Sequence, residues 1–430
     1  MMTPGGRFLA SIVPLPAGRA PMLSMRLATV GFVLAVLDGL GTYNNLFTYP
    51  ERLYLLGELV LIGAAVVLSP RTWVTRVRLP LAAVAFVTWW LMSSQWSAFP
   101  PLFIRSTTRP LITILGVVIL GQLMPRLHLQ RAILRTGYIA FGLTTYALLA
   151  LGDSAFSSTV GGIPTEGFSG GFGHKNTMAP CLLLGLAATL CFERRRWVRR
   201  LVFGATVFYL VIGQTGTGLA TMFVMVIAYL GMIQWRFIRA RFGSTTKLVG
   251  SALLVIAVVV VLLLFQPILS LYGKDLTFTG RTEIWRGVIN AISKRPWHGY
   301  GWGGVFTNFA IEPTASINRP LGYTVAHSHN AVLEMALRLG FVAVGIYLLQ
   351  FVRTFQVGAR LLRLGDTMGH FVILLLTIVS FFAVSEVQTV FGAWFGLTVL
   401  LSTVGPDRRS DPPLPRTVHP PLSQHGPAER

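Results

Sequence analysis

The chain has 430 residues, of which 53% are hydrophobic and only 12% charged, and its mean hydropathy is +0.64. A water-soluble domain carries roughly a quarter charged residues, so a soluble globular fold is excluded and an integral membrane protein is indicated. The formal net charge of +21 comes from cations in short clusters between apolar runs, which is a topology pattern rather than a nucleic-acid footprint. No nucleic acid is expected as a partner.

The first residues carry Arg7 and Arg19 among Pro14, Pro16 and Pro21, without a compact apolar core followed by a small-residue cleavage site. Residues 1–24 therefore read as a cytoplasmic tail and not as a cleaved signal. A single all-α membrane domain follows over 25–404. About twelve apolar segments are long enough for a bilayer of about 30 Å. They fall near 25–44, 52–69, 79–96, 109–124, 132–152, 176–192, 198–213, 218–234, 247–266, 330–351, 368–385 and 389–404.

The connections between these segments alternate in charge. One set carries Arg71, Arg76 and Arg78; then Arg126, Arg131 and Arg135; then Arg194, Arg195, Arg196, Arg199 and Arg200; then Arg236, Arg239, Arg241 and Lys247; then Arg353, Arg360 and Arg363. The other set is poor in cations, apart from Arg52, Arg105, Arg109 and Lys175. Because positive charge in short loops marks the cytoplasmic side, both termini are predicted inside. Cys181 and Cys191 lie ten residues apart on one apolar run, about 15 Å along a helix, so they cannot bridge. Residues 405–430 are rich in proline and polar residues and read as a disordered cytoplasmic tail.

The candidates for chemistry crowd the outer side. Asp38 and Glu58 fall inside predicted spans, where an acid is a functional candidate by default. Ser93-Ser94-Gln95-Trp96-Ser97 leads into Arg105 and Arg109. Gly170-Gly171-Phe172-Gly173-His174-Lys175-Asn176 opens the sixth span with a cation at a helix N-terminus, which opposes the helix dipole. Lys175 therefore points either to an anionic ligand or to lipid phosphate.

One connection is long, from 266 to 329, and it is rich in aromatic residues and in cations that its side otherwise lacks. Within it Arg281 to Arg295 is predicted to be a helix stopped by Pro296, with Ile284, Trp285, Val288, Ile289 and Ile292 on one face and Arg281, Glu283, Arg286 and Asn290 turned away. Such a helix is expected to lie along the membrane surface, aromatic face down, with its guanidinium groups at headgroup level. The run Gly299-Tyr300-Gly301-Trp302-Gly303-Gly304 reads either as an anion-binding backbone nest or as a plain turn. The connection ends in His327-Ser328-His329-Asn330. No zinc ligand set is in reach, so acid/base or orienting work outranks metal. Glu334 and Arg338, at i,i+4 spacing, are predicted to pair.

Gly280-Arg281-x-x-x-Trp285, Pro296-x-x-Gly299-x-Gly301 and His327-x-His329-Asn330 followed by Gly340 together resemble the O-antigen ligase and polysaccharide polymerase family of bacterial envelopes. Ser93-Ser94-Gln95-Trp96-Ser97 and Gly173-His174-Lys175-Asn176 look most like the branch of exopolysaccharide-production polymerases. The resemblance implies a metal- and cofactor-independent glycosyltransferase in the bacterial plasma membrane, with its site facing outward. The donor would be an undecaprenyl diphosphate-linked glycan and the acceptor a glycan or lipid-linked saccharide, among membrane lipids. In that reading Arg281 clamps the diphosphate and His329, with His327 as its rival, orients or deprotonates the acceptor hydroxyl. Arg286, Lys175, Arg105, Arg109, Asn330 and His174 are further candidates for holding substrate.

Two departures stand out: Gln214-Thr215-Gly216-Thr217-Gly218 lacks the cation that relatives often carry there, and Ala343 replaces a glycine after Gly340. Lys175 is the candidate substitute for that cation. The chain has no Asp-x-Asp, the pattern of metal-gripping nucleotide-sugar enzymes. Competing readings are a secondary transporter, whose site would sit at mid-membrane, and a peptidoglycan-type polymerase using Glu283, Asp275 or Glu312. A non-catalytic glycan-binding subunit is a third, and ligase and polymerase are not separated by the sequence.

Overall fold

The computed structural model describes residues 19–39, 51–68, 75–97, 99–156, 158–160, 163–165, 167–172, 174–242, 281–306, 308–387 and 390–406. Among them the chain is helical apart from 3-10 turns and one short antiparallel hairpin, Ser158–Val160 with Ile163–Thr165. The helices are α1 (Arg19–Gly39), α2 (Glu51–Leu68), α3 (Leu81–Met92), α4 (Pro100–Leu123), α5 (Arg126–Ala150), α6 (Lys175–Phe192) and α7 (Arg196–Ile212). They continue with α8 (Gly216–Phe242), α9 (Arg281–Lys294), α10 (Thr314–Asn318), α11 (Ala331–Arg363), α12 (Thr367–Ser385) and α13 (Gly392–Leu401).

Among the described residues, seven helices are long and apolar enough to cross a membrane: α1, α4, α5, α6, α8, α11 and α12. The protein is a membrane protein of several spans. Eleven of the twelve predicted segments fall on helices, while the ninth, 247–266, lies outside the described residues. So do 266–280 of the long connection, residues 1–18 and residues 407–430.

Helix bounds depart from expectation for local reasons. α3 stops after 12 residues, because the Ser93 and Ser94 hydroxyls donate to the carbonyls of Trp90 and Leu91 three residues back and tighten the chain into a 3-10 turn. α11 runs on to Arg363, so Arg353, Arg360 and Arg363 stand on its last turns rather than in a connection. Asp38 and Glu58 are both buried inside the bundle. Cys181 and Cys191 are buried and are not bonded to each other.

The long connection is a folded cap with its own small core. Ile284, Val288, Ala291 and Ile292 of α9 pack with Tyr300, Phe306 and Ile317 and with Ala336 and Leu337 of α11. The expectation that α9 rests its apolar face on lipid is therefore corrected. An amphipathic stripe serves a protein core as well as a membrane surface, and here α10 and α11 supply the core.

The glycine run is a turn that also ties the cap to α11, and not an anion-binding nest. The N–H groups of Tyr300 and Gly301 donate to the carbonyls of Leu337 and Arg338 (3.0 and 2.8 Å), and that of Gly299 donates to Arg295 (3.1 Å). α11 is broken at Gly340 (φ +77°), where the N–H groups of Phe341 and Val342 turn to the carbonyls of Pro296 and Trp297. The Trp89 indole donates to the Leu339 carbonyl at 2.8 Å. The segment 296–301 is thus laced into an open turn of α11, and a Cβ at position 340 would stand 2.1 Å from the Trp297 oxygen. With those donors occupied, the run holds the cap to the bundle and has none of them to offer an anion.

Candidate functional site

Four chain segments meet where the cap joins the bundle: the starts of α6, α9 and α11 and the end of α12. Arg281, the first residue of α9, donates from Nη1 to the Ser385 carbonyl at 3.0 Å. Its Nη2 stands 3.5 Å from Glu386 Oε1. Asn176 on α6 donates its amide to the same carboxylate oxygen at 2.5 Å, and Asn330 donates to the Val384 carbonyl at 3.3 Å. Three helix N-termini facing a common site, with a guanidinium among them, suit an anion.

The electrostatics are those of a dry pocket. Glu386 is only 4% exposed, and burial pushes its carboxyl up to about 7, with the Arg281 charge and the Asn176 hydrogen bond pulling the other way. Burial likewise lowers the Arg281 guanidinium, with Glu386 opposing.

The segment ahead of α11 carries the second half of the site. The His327 and His329 rings lie 4.0 Å apart, centroid to centroid. Burial lowers both imidazoles. For His329 the effect reaches about 2, reinforced by His327, Arg281 and His174. For His327, Glu334 opposes the shift, while Arg338 and Arg281 add to it. Both rings are therefore neutral at neutral pH.

The His329 N–H donates to His327 Nδ1 at 3.3 Å. A neutral imidazole that accepts at Nδ1 carries its proton on Nε2, so that nitrogen is a donor and not a base. His329 Nδ1 is buried and has no hydrogen-bond partner among the described residues. His329 also sits in the left-handed region at φ +52°, a strain of about 1–3 kcal/mol for a non-glycine residue. Of the two histidines, His329 is the one whose Nδ1 lone pair is not engaged among the described residues.

The other candidates sort by position. His174 caps α6 by accepting the Asn176 N–H at its Nδ1, 3.2 Å away, and its charge is felt by His329. Lys175 is buried. A Cβ built on Gly167 would lie 3.2 Å from its Nζ and 2.8 Å from the Gly213 oxygen, so the lysine stands by the turn that opens α8. Asn330 caps α11, accepting the N–H groups of Val332 and Leu333.

Arg109 is instead engaged by Asp38 inside the bundle, through Nε–Oδ2 and Nη2–Oδ1 contacts of 3.1 and 2.6 Å. Its predicted place at the outer anion site is corrected to an ion pair between α1 and α4. Arg286 is exposed and lies about 140° around α9 from Arg281, so the two do not share a face. The Arg105 side chain lies outside the described residues. Glu283 is exposed too.

Residues 201–348 match the O-antigen ligase family. The matched stretch contains Arg281, Arg286, His327, His329 and Asn330, while the other residues around Arg281, namely His174, Asn176 and Glu386, lie outside it. The chain is also similar to the exopolysaccharide production protein ExoQ of Rhizobium meliloti (strain 1021), 26% identical over 302 residues that make up 65% of each chain. The chain thus spans somewhat under two thirds of that relative's length. The O-antigen ligase match and this relative support a role in glycan ligation or polymerisation.

Proposed function

We propose that the chain is a glycan polymerase of the bacterial inner membrane, working at the outer face. It transfers a saccharide from a polyprenyl diphosphate carrier to the hydroxyl of an acceptor saccharide that is itself lipid-linked. The observation that carries this reading is the placement of Arg281 beside a neutral, buried histidine pair, inside the stretch that matches O-antigen ligases. The polymerase assignment draws on the exopolysaccharide relative. About twelve spans over 25–404, cytoplasmic termini at 1–24 and 405–430 and an outward cap over 266–329 complete the proposed topology.

In the proposed step the acceptor oxygen attacks the anomeric carbon, the bond from that carbon to the phosphate oxygen breaks, and the electron pair leaves with the carrier diphosphate. His329 orients the hydroxyl and takes its proton late, once bonding to the anomeric carbon has made that oxygen acidic. Arg281 matches the charge growing on the diphosphate, so the leaving group needs no proton and no metal. Lys175, by the cation-free turn at 213–218, adds a second positive charge, and His174 and Asn330 border the acceptor. The test is turnover of a polyprenyl diphosphate-linked oligosaccharide by the purified chain in liposomes containing a chelator. Carrier diphosphate release with glycan growth is expected, and no release from any such donor would overturn the reading.

A further inference from the structure

Ser328 lies between the two histidines and is fully buried. Its peptide groups are gripped from two sides. The N–H donates to Glu334 Oε2 at 2.8 Å, and the carbonyl accepts the Trp285 indole N–H at 2.9 Å. Trp285 is one helical turn beyond Arg281 on α9, whereas Glu334 belongs to the first turn of α11. Glu334 is itself fully buried, and its other oxygen accepts from Arg338 Nε and Nη2, both at 2.6 Å. Arg338 in turn lies 5.0 Å over the Trp302 ring. The chain Trp302–Arg338–Glu334–Ser328–Trp285 therefore passes through the residue between the two histidines.

A buried carboxylate aimed at a backbone N–H is a strong, directional anchor. Here Glu334 anchors the His327–Ser328 peptide and Trp285 the Ser328–His329 peptide that follows it, on the approach to His329 at φ +52°, a conformation that L-amino acids adopt only under constraint. We infer that Glu334 is the positioning residue of the transfer site, holding His329 in its left-handed conformation through the His327–Ser328 peptide, in the segment that Trp285 keys to α9, the helix that carries Arg281. The inference rests on the transferase reading. Glu334 does not touch the reacting atoms, so its loss should appear in the chemical step and leave donor binding to Arg281 in place.

The experiment compares wild type, Glu334→Gln and Glu334→Gln/Arg338→Gln as full-length protein in liposomes. It measures kcat and donor KM with the polyprenyl diphosphate donor, together with amide hydrogen exchange over 327–330. A glutamine at 334 has one acceptor and one donor, so it cannot serve both the Ser328 N–H and Arg338. The paired glutamines can satisfy each other and the Ser328 N–H together. The single variant is expected to lose ten- to a hundredfold in kcat with donor KM within about threefold, a loss typical of removing a supporting partner. Exchange at 327–330 should rise at least tenfold while α12 stays protected, and the double variant should recover part of kcat.

Unchanged exchange and kcat in Glu334→Gln beside an active wild type would sink this inference alone. A kcat loss with α12 deprotected, or with no recovery in the double variant, would also sink it by reducing Glu334 to general stability. An inactive wild type would instead remove the transferase reading on which the inference stands.

Discussion

Two buried arginine–carboxylate pairs sit at opposite ends of this bundle and differ in what else holds them. At the end away from the cap, Arg126 opens α5 and pairs closely with Asp366, which caps α12 by accepting the Met368 N–H at 2.9 Å. The same guanidinium donates to the Gly405 carbonyl at 2.7 Å. The start of α5, the start of α12 and the segment after α13 are held together at Arg126. At the cap end, Arg281 stands 3.5 Å from Glu386, and burial keeps that acid near half-protonated at neutral pH. In the first pair the guanidinium is answered by a carboxylate oxygen and a backbone carbonyl. The second leaves a guanidinium whose charge is only partly answered, as a site for a diphosphate requires.

The sharpest way to break this comparison is to remove each arginine's function in turn. Arg281→Ala should lower kcat/KM for the donor by at least about a hundredfold, with a melting temperature in detergent close to wild type. A collapse in melting temperature would place Arg281 with Arg126 as a structural lock. Asp366→Asn is expected to do the reverse. It keeps the cap on α12 but leaves Arg126 without its counter-charge, costing about 3 kcal/mol, while turnover per folded molecule stays within about twofold. Denaturation melts and active-site-normalised turnover check both statements.

The smallest expected effect sharpens the comparison by pH. Glu386 holds its proton up to about 7 when folded, against an ordinary value of 4.5. Between those values the folded state binds the proton that the unfolded state has released, so stability falls as pH rises through the window. Glu386→Gln should flatten that fall, a change of roughly 2–4 °C in melting temperature across the window. A wild-type melting temperature that rises from pH 5 to 7, with the slope abolished in the variant, would contradict the assigned direction.

How much of this was legible before the structure varies by residue. Arg281 and the His327–His329 pair stand on the cation-rich connection, but it is the family resemblance of their motifs, and not their spacing alone, that singles them out. The Glu334–Arg338 pair follows from i,i+4 geometry and forms as expected. Glu386 does not, because its partner is 105 positions earlier on another helix. An acid just past an apolar run, at the end where α6 and α11 begin, is the signal that could have marked it. The face of α9 was misassigned because a 3.6-residue apolar stripe does not name its partner. The glycine run left a nest and a turn open because positive-φ glycines suit both equally, and only the open turn at Gly340 decides between them. Arg109 was indistinguishable from a ligand-binding cation until Asp38, 71 residues earlier, was found against it.

The most direct test of the central claim separates binding from chemistry at the two halves of the site, by measuring donor affinity and single-turnover rate in liposomes for wild type, Arg281→Ala and His329→Ala. Weakened donor binding in Arg281→Ala, with near-wild-type binding but a rate lowered by about a hundredfold or more in His329→Ala, is the predicted result. Intact binding in Arg281→Ala, or an undiminished rate in His329→Ala, would contradict the division of labour.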